Sequence, residues 1–311
     1  QHQALAMRRR LRSNARSSLE AMADRPANVA LKREAVELMR RLYAGVDHPD
    51  LAASLNNVGG SLVAMGDRLA GFEIQREALE MRRQLYLDGD HRDLAASLNN
   101  VGALLVATGD RAAGVKLERE ALAMMRRMYA DMDQPDIASS LNNLGASLEA
   151  MGDRETGTTL QREALNMRRR LYPGLDHPAL AVSLNNVGVS LVDLGDRSAG
   201  VALLREALEM RRRMYRDVVN QDVAASLNNV GAALLAMGDR LAGAALTLEA
   251  LKMMRRLYFG TDHPDFASSL SNVGLSLQAS GDYTAAAALT HEALEMRRRL
   301  YAGVDHPDLA S

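Results

Sequence analysis

The residues able to do chemistry fall in columns, not in one cluster. An asparagine pair recurs as Asn56-Asn57, Asn99-Asn100, Asn142-Asn143, Asn185-Asn186 and Asn228-Asn229, with Ser271-Asn272 as an altered copy. One amide offers a donor and an acceptor together, which matches a peptide unit without reading its side chain. The same amides can instead satisfy backbone groups or a neighbouring helix, and both readings stand at this point. A histidine column holds His48, His91, His177, His263 and His306, interrupted at Gln134 and Gln221. Zinc needs its ligands about 2 Å from one ion, whereas packed helices stand about 10 Å apart. The histidines are therefore expected to cap helices or shape turns. The tyrosines from Tyr43 to Tyr301 are expected to pack between repeats. The methionines Met81, Met124, Met167, Met210, Met253 and Met296 are expected to fill the core. No glycine-rich phosphate loop follows a strand, and no nucleophile, base and acid form a set. Neither a catalytic residue nor a metal or cofactor site is expected.

All columns share one period. Ser54-Leu55-Asn56-Asn57-Val58-Gly59 returns at Ser97, Ser140, Ser183, Ser226 and, altered, at Ser269, each copy 43 residues after the last. A fixed period of this size predicts a solenoid, in which each repeat packs only on its neighbours. A single core of 311 residues would be near its size limit, and an array escapes that limit. A net charge of -1 gives no reason to expect nucleic acid as a partner. Cysteine is absent, which excludes disulfides and thiolate metal sites and fits a reducing, cytoplasmic compartment. No apolar run approaches the roughly 20 residues of a membrane span, so no membrane partner is expected. Residues 1–22 carry arginines without an uninterrupted apolar stretch and do not read as a secretory signal.

The columns need two helices per repeat to position them. His48-Pro49-Asp50 opens the first, with Asp47 or His48 as its cap, Pro49 in its first turn and Asp50 at its positive end. Leu51, Leu55, Val58 and Leu62 form one apolar stripe. Gly66-Asp67 ends this helix and caps the next, and so short a link forces an antiparallel pair. The second helix runs from about Arg68 to Tyr86, with Ala78 and Leu79 on its buried side and Arg82 and Arg83 near its negative end. Gly59, Gly102, Gly145, Gly188, Gly231 and Gly274 sit mid-helix, where glycine costs about 1 kcal/mol against alanine. A close helix approach is the expected reason. The column Ala78, Ala121, Ala164, Ala207, Ala250 and Ala293 is the expected matching surface.

Leu55, Val58-Gly59, Leu62, Gly66-Asp67 and Ala78-Leu79 resemble the tetratricopeptide repeat in their relative spacing. The opening His48-Pro49-Asp50 and the Leu55-Asn56-Asn57 core resemble its kinesin-light-chain type. The resemblance covers about residues 25 to 311. It implies an all-α, right-handed superhelical solenoid of antiparallel helix hairpins with a 43-residue period. It also implies that the first helices line a concave groove, where an Asn at the Asn57 position often bonds ligand backbone. Two features depart from the family. Gly71, Gly114, Gly157, Gly200 and Gly243 replace a small alanine, and Arg68, Arg111, Arg154, Arg197 and Arg240 replace an aromatic residue. Looser packing around those helix starts is expected. The family's carboxylate clamp is not expected, because its positions hold Ala53, Ala96, Ser139, Val182, Ala225 and Ser268.

The sequence thus predicts one solenoid over 1–311. It would comprise a degenerate cap at 1–24, an unpaired second helix at 25–46, six full repeats at 47–304 and the start of a truncated repeat at 305–311. The expected function is non-catalytic: binding an extended peptide or a partner's helix. The groove residues would be Asn57, Asn100, Asn143, Asn186, Asn229 and Asn272, with Asn56, Asn99, Asn142, Asn185 and Asn228 beside them. The rest of the groove would be small and apolar, with acids only at Glu149 and Asp193. The competing expectation is a structural spacer, or a solenoid that stacks end to end as a fragment of a longer protein, with Leu294, Leu300 and Tyr301 on the contact face.

Overall fold

The computed structural model describes residues 25–301, apart from residues 88, 131 and 217. The expected cap at 1–24 and truncated repeat at 305–311 lie outside the described residues. All thirteen described elements are α-helices. Among the described residues, helix α1 (Arg25–Leu42) precedes six hairpins. These are α2 (Pro49–Ala64) with α3 (Arg68–Leu85), α4 (Arg92–Thr108) with α5 (Arg111–Tyr129), and α6 (Pro135–Ala150) with α7 (Arg154–Leu171). Then come α8 (Pro178–Asp193) with α9 (Arg197–Met214), α10 (Gln221–Ala236) with α11 (Arg240–Leu257), and α12 (Pro264–Ala279) with α13 (Tyr283–Leu300). They form two compact blocks, one ending at Pro173 and one starting at Gly174. Within each block, hairpins follow at the 43-residue period and each packs on the next.

The caps explain the boundaries. His48, His91, His177 and His263 each accept a backbone N–H two residues on through Nδ1, which satisfies one of the orphan donors of a helix start. The cap is thus His48 and not Asp47. In the α10 repeat the histidine column falls on Asn220, 43 residues after His177, and not on Gln221, and Asn220 Oδ1 takes two such N–H groups. At Gln134 no side-chain bond forms. Asp67, Asp110, Asp153, Asp196, Asp239 and Asp282 cap the second helices in the same way. Gly66 turns the chain between the two helices at φ 91°, a left-handed conformation that glycine adopts without strain.

The mid-helix glycines do mark a close crossing, but the matching surface differs from the expected one. A Cβ on Gly59 would lie 2.9 Å from the Gly71 carbonyl oxygen and 2.5 Å from Gln75 Cγ. A Cβ on Gly71 would lie 2.9 Å from the Gly59 carbonyl oxygen. The two glycine columns therefore face each other, and backbone meets backbone. The alanine column from Ala78 is fully buried elsewhere along the second helices. Replacing alanine by glycine at Gly71 thus tightens the helix start, contrary to the expected loosening. Gly274 is the exception: its partner is Ala286, and a Cβ there would stand 3.4 Å from the Ala286 carbonyl oxygen.

Two polar devices register one repeat on the next. On the surface, Arg40–Glu77, Arg83–Glu120 and Arg126–Glu163 pair in the first block, and Arg212–Glu249 and Arg255–Glu292 in the second. A parallel series joins Asp90 to Arg127, Asp133 to Arg170, Asp176 to Arg213 and Asp262 to Arg299. The arginines hold the carboxyls of Asp90, Asp133 and Asp262 below their ordinary range. Exposed pairs of this kind add little stability, but they fix register. Inside the seams, Arg82 is buried and donates to the Asp93 carbonyl and the Ser97 hydroxyl. Arg211 does the same to Asp222 and Ser226. Burial pulls both guanidinium pKa values down, with Asp93 and Asp222 opposing. In the same column Met125 and Met254 are buried instead. The sequence placed Arg82 near the helix's negative end and did not foresee its burial. The signal that finds it is the column itself, in which arginine and methionine occupy the same position: Met39, Arg82, Met125, Arg168, Arg211, Met254 and Arg297.

Candidate functional site

The first helices present the candidate face in each block. Asn57, Gly60, Ala103 and Ala146 are exposed, and Asn100, Asn143, Val63, Val106 and Glu149 are half-buried. In the second block Val189, Ala232 and Leu275 are exposed, and Asn186, Asn229 and Asn272 are half-buried. The periodicity therefore places the small apolar residues and the Asn57 column toward solvent together. The helical columns that hold them are set by the buried stripe Leu55, Val58 and Leu62 on the opposite side.

The structure separates the two asparagine columns. Asn99, Asn142 and Asn228 are buried, and Asn56 and Asn185 are half-buried. Asn99 donates to the Ser140 hydroxyl of the next repeat. Asn56 Oδ1 accepts from Asn100 Nδ2 at 3.0 Å, and Asn185 Oδ1 accepts from Asn229 Nδ2 at 2.8 Å. The first asparagine of each pair thus lies in the seam between repeats. Asn100 and Asn229, second in their pairs, reach back to the first asparagine of the preceding repeat.

Two acidic residues stand out, and the sequence foresaw the surroundings of only one. Glu149 occupies the column of Val63 and Val106. Its Oε1 accepts from the Thr158 hydroxyl at 3.2 Å and its Oε2 from Gln161 Nε2 at 3.1 Å. Glu118 is fully buried, and neither oxygen has a hydrogen-bond partner of good geometry. Burial pushes its carboxyl up to about 7, opposed by the Ser147 hydroxyl, with no charged neighbour contributing. Its column reads Gln75, Glu118, Gln161, Leu204, Thr247 and Thr290, and the single apolar member, Leu204, among polar ones is the signal that marks it.

The remaining candidates have structural roles. Tyr43 stacks on His48 at 3.6 Å, Tyr86 on His91 at 3.6 Å and Tyr258 on His263 at 3.9 Å. The tyrosine and histidine columns therefore lock the end of one repeat to the start of the next. Among the described residues, no three His, Cys, Asp or Glu side chains gather as a metal site. An open hollow lined by Arg119, Leu122, Ala123, Arg126, Leu144 and Leu148 contains none of the asparagines. Arg126 is already paired with Glu163 there.

Stacked helix hairpins with an asparagine column that is exposed at Asn57 and half-buried in the later copies define a helical-repeat scaffold. The tetratricopeptide repeat model matches residues 50–127, 136–213 and 222–299. The chain belongs to the tetratricopeptide repeat family. No curated relative matches it. Among solved structures it is similar to BtubC (BKLC) from P. vanneervenii, at 22% identity and a TM-score of 0.60, over 76% of this chain and 93% of that one. It is also similar to a Podosopora anserina protein described as a kinesin light chain with nearly identical TPR-like repeats. That match has 16% identity and a TM-score of 0.55, over 69% of this chain and 100% of that one. The apo form of RapI matches at 13% identity and a TM-score of 0.65, over 91% of this chain and 97% of that one. These likenesses bear out the all-helical hairpin fold, and the structures the chain resembles include a kinesin-light-chain-like repeat protein. No described helix is long and apolar enough to cross a membrane.

Proposed function

We propose that the chain is a non-catalytic protein-interaction module of the cytoplasm, which holds a peptide segment of another protein along the first-helix face. The observation that carries this reading is the Asn57 column, exposed at Asn57 and half-buried at Asn100 and Asn143, beside a floor of exposed Gly60, Ala103 and Ala146. Such a floor lets a peptide backbone approach closely, and amides pair with that backbone whatever its sequence. Membership of a family whose repeats serve protein–protein interaction supports it. Changing Asn100 and Asn143 together to Ala should weaken a selected peptide about tenfold while helicity stays intact. Unchanged affinity would remove the asparagines from the site. A second reading, self-association through the array's end, is favoured by one observation. Leu31, Leu38 and Leu42 of α1 are 67%, 57% and 73% exposed. Light scattering over a concentration series, with Leu38→Glu as control, separates the two readings: only stacking is concentration-dependent without peptide and abolished by that change.

A further inference from the structure

Beyond their first turns, α2, α4 and α6 carry a single ionisable side chain, Glu149. It stands where the neighbouring repeats place Val63 and Val106. It is also held in place. Its Cγ lies over Gly157, where a Cβ would meet it at 2.6 Å, so the side-chain stem is fixed against the α7 backbone. Gln161 Nε2 holds one oxygen at 3.1 Å, and the Thr158 hydroxyl, which also reaches the Arg154 carbonyl at 2.8 Å, stands 3.2 Å from the other; both residues are themselves buried, at 1% and 4% exposure. Both donors are neutral. Among the described residues no cation pairs with this carboxylate. The fold therefore orients a charge without compensating it.

We propose that Glu149 is a cation-reading position, which selects a Lys or Arg side chain in an extended peptide segment of another protein. This rests on the peptide-binding reading of the same face. An extended segment is favoured over a helix because the Asn amides need unpaired backbone groups, and a helix bonds its own internally. A basic side chain is favoured by charge complementarity on a face otherwise built of Asn, Ser, Gly and aliphatic residues. A metal ion is not favoured, because hard cations take six or more oxygen ligands and one carboxylate supplies two. The arrangement assigns two jobs: the asparagines hold peptide backbone, and Glu149 sets which register binds.

The test is a random peptide library selected against the full chain, with Glu149→Gln and Ala146→Arg as variants. Gln keeps an oxygen acceptor for Thr158 or Gln161, so the hairpin stays folded, which circular dichroism checks. Peptides from the wild type should be blocked by Ala146→Arg and enriched in Lys or Arg at one position. They should bind the Gln variant about tenfold more weakly, with that deficit closing in high salt. Peptides blocked by Ala146→Arg but without basic enrichment, and bound equally by the Gln variant, would overturn the role of Glu149 alone. A selection that yields no peptide sensitive to Ala146→Arg would overturn the groove reading and Glu149 with it.

Discussion

The same backbone crossing is dressed differently in the two blocks. In the first, the residue lying over the mid-helix glycine is Gln75, Glu118 or Gln161. In the second it is Leu204, Thr247 or Thr290. The second solution is self-contained. Leu204 needs no partner, and the hydroxyls of Thr247 and Thr290 return to their own helix, at Ala244 and Ala286. The first is not. Gln161 reaches across to Glu149, while Gln75 Oε1 and both Glu118 oxygens are buried without a hydrogen bond. A buried polar atom without a partner costs about 1–3 kcal/mol. The glycine crossing thus tolerates either chemistry, and only the first block uses it to aim a charge at the exposed face.

The crossing itself should give the largest effect. Gly145→Leu drives side-chain atoms against the Gly157 carbonyl at 2.7 Å, and a backbone oxygen cannot swing away. A cost above about 3 kcal/mol is expected. In a nearest-neighbour array the loss should stay with α6, α7 and the adjoining hairpin. Gly274→Ala should cost less, because the Ala286 oxygen is 3.4 Å away, the tight contact is with the Thr290 hydroxyl at 2.7 Å and not with backbone, and alanine favours the helix by about 1 kcal/mol. Hydrogen exchange resolves both. Equal damage at the two glycines, or loss of protection along the whole chain, would break the comparison.

Glu118 comes next. Its folded pKa of about 7 lies above the ordinary 4.5, so the folded chain binds more protons between those values. Stability from this group is complete below pH 4.5 and falls as pH rises toward 7, by up to about 3 kcal/mol. Glu118→Leu, which copies Leu204, should raise the urea midpoint at pH 8 and not at pH 4. Leu204→Glu should do the reverse. If the difference between wild type and Glu118→Leu is flat across that range, the carboxyl is not buried as described.

The smallest effect should come from the seam arginines, which both blocks share. Arg82→Met and Arg211→Met copy Met125 and Met254, and each should change stability by less than about 1 kcal/mol. Arg82→Ala should cost more, because it leaves a void and strips Ser97 of its donor. Thermal melts of the three variants test this. A large loss in only one of the two Met variants would mean that the blocks differ in their seams as well as at their crossings.

Most of the fold was legible because the period repeats each local signal six times. Helix caps at Asp67, turns at Gly66 and the stripe from Leu51 to Leu62 all depend on neighbours close in sequence. The glycine partner was missed for a physical reason. Spacing on one helix says nothing of which column on the second helix it crosses, so Ala78 looked as suitable as Gly71. The face was legible as a set of columns, but the split between Asn99 and Asn100 was not. It depends on how far one repeat is rotated against the next, which no single helix records. Glu149 was visible as an acid in an apolar column, whereas its support by Thr158 and Gln161 comes from the other helix of the hairpin.

The ring stacks at the joints bear on how such a chain changes in length over generations. Tyr86 and His91 are five positions apart and belong to different repeats, yet their planes lie within 6° of each other. One residue added to or taken from that joint would pull the rings apart and misplace the helix cap that the imidazole provides. Recombination between copies in register leaves every joint whole and adds or removes 43 residues at a stroke. Small insertions are thus selected against at each joint while whole-repeat gain and loss stay open, and the chain can vary in its number of repeats without varying in any of them.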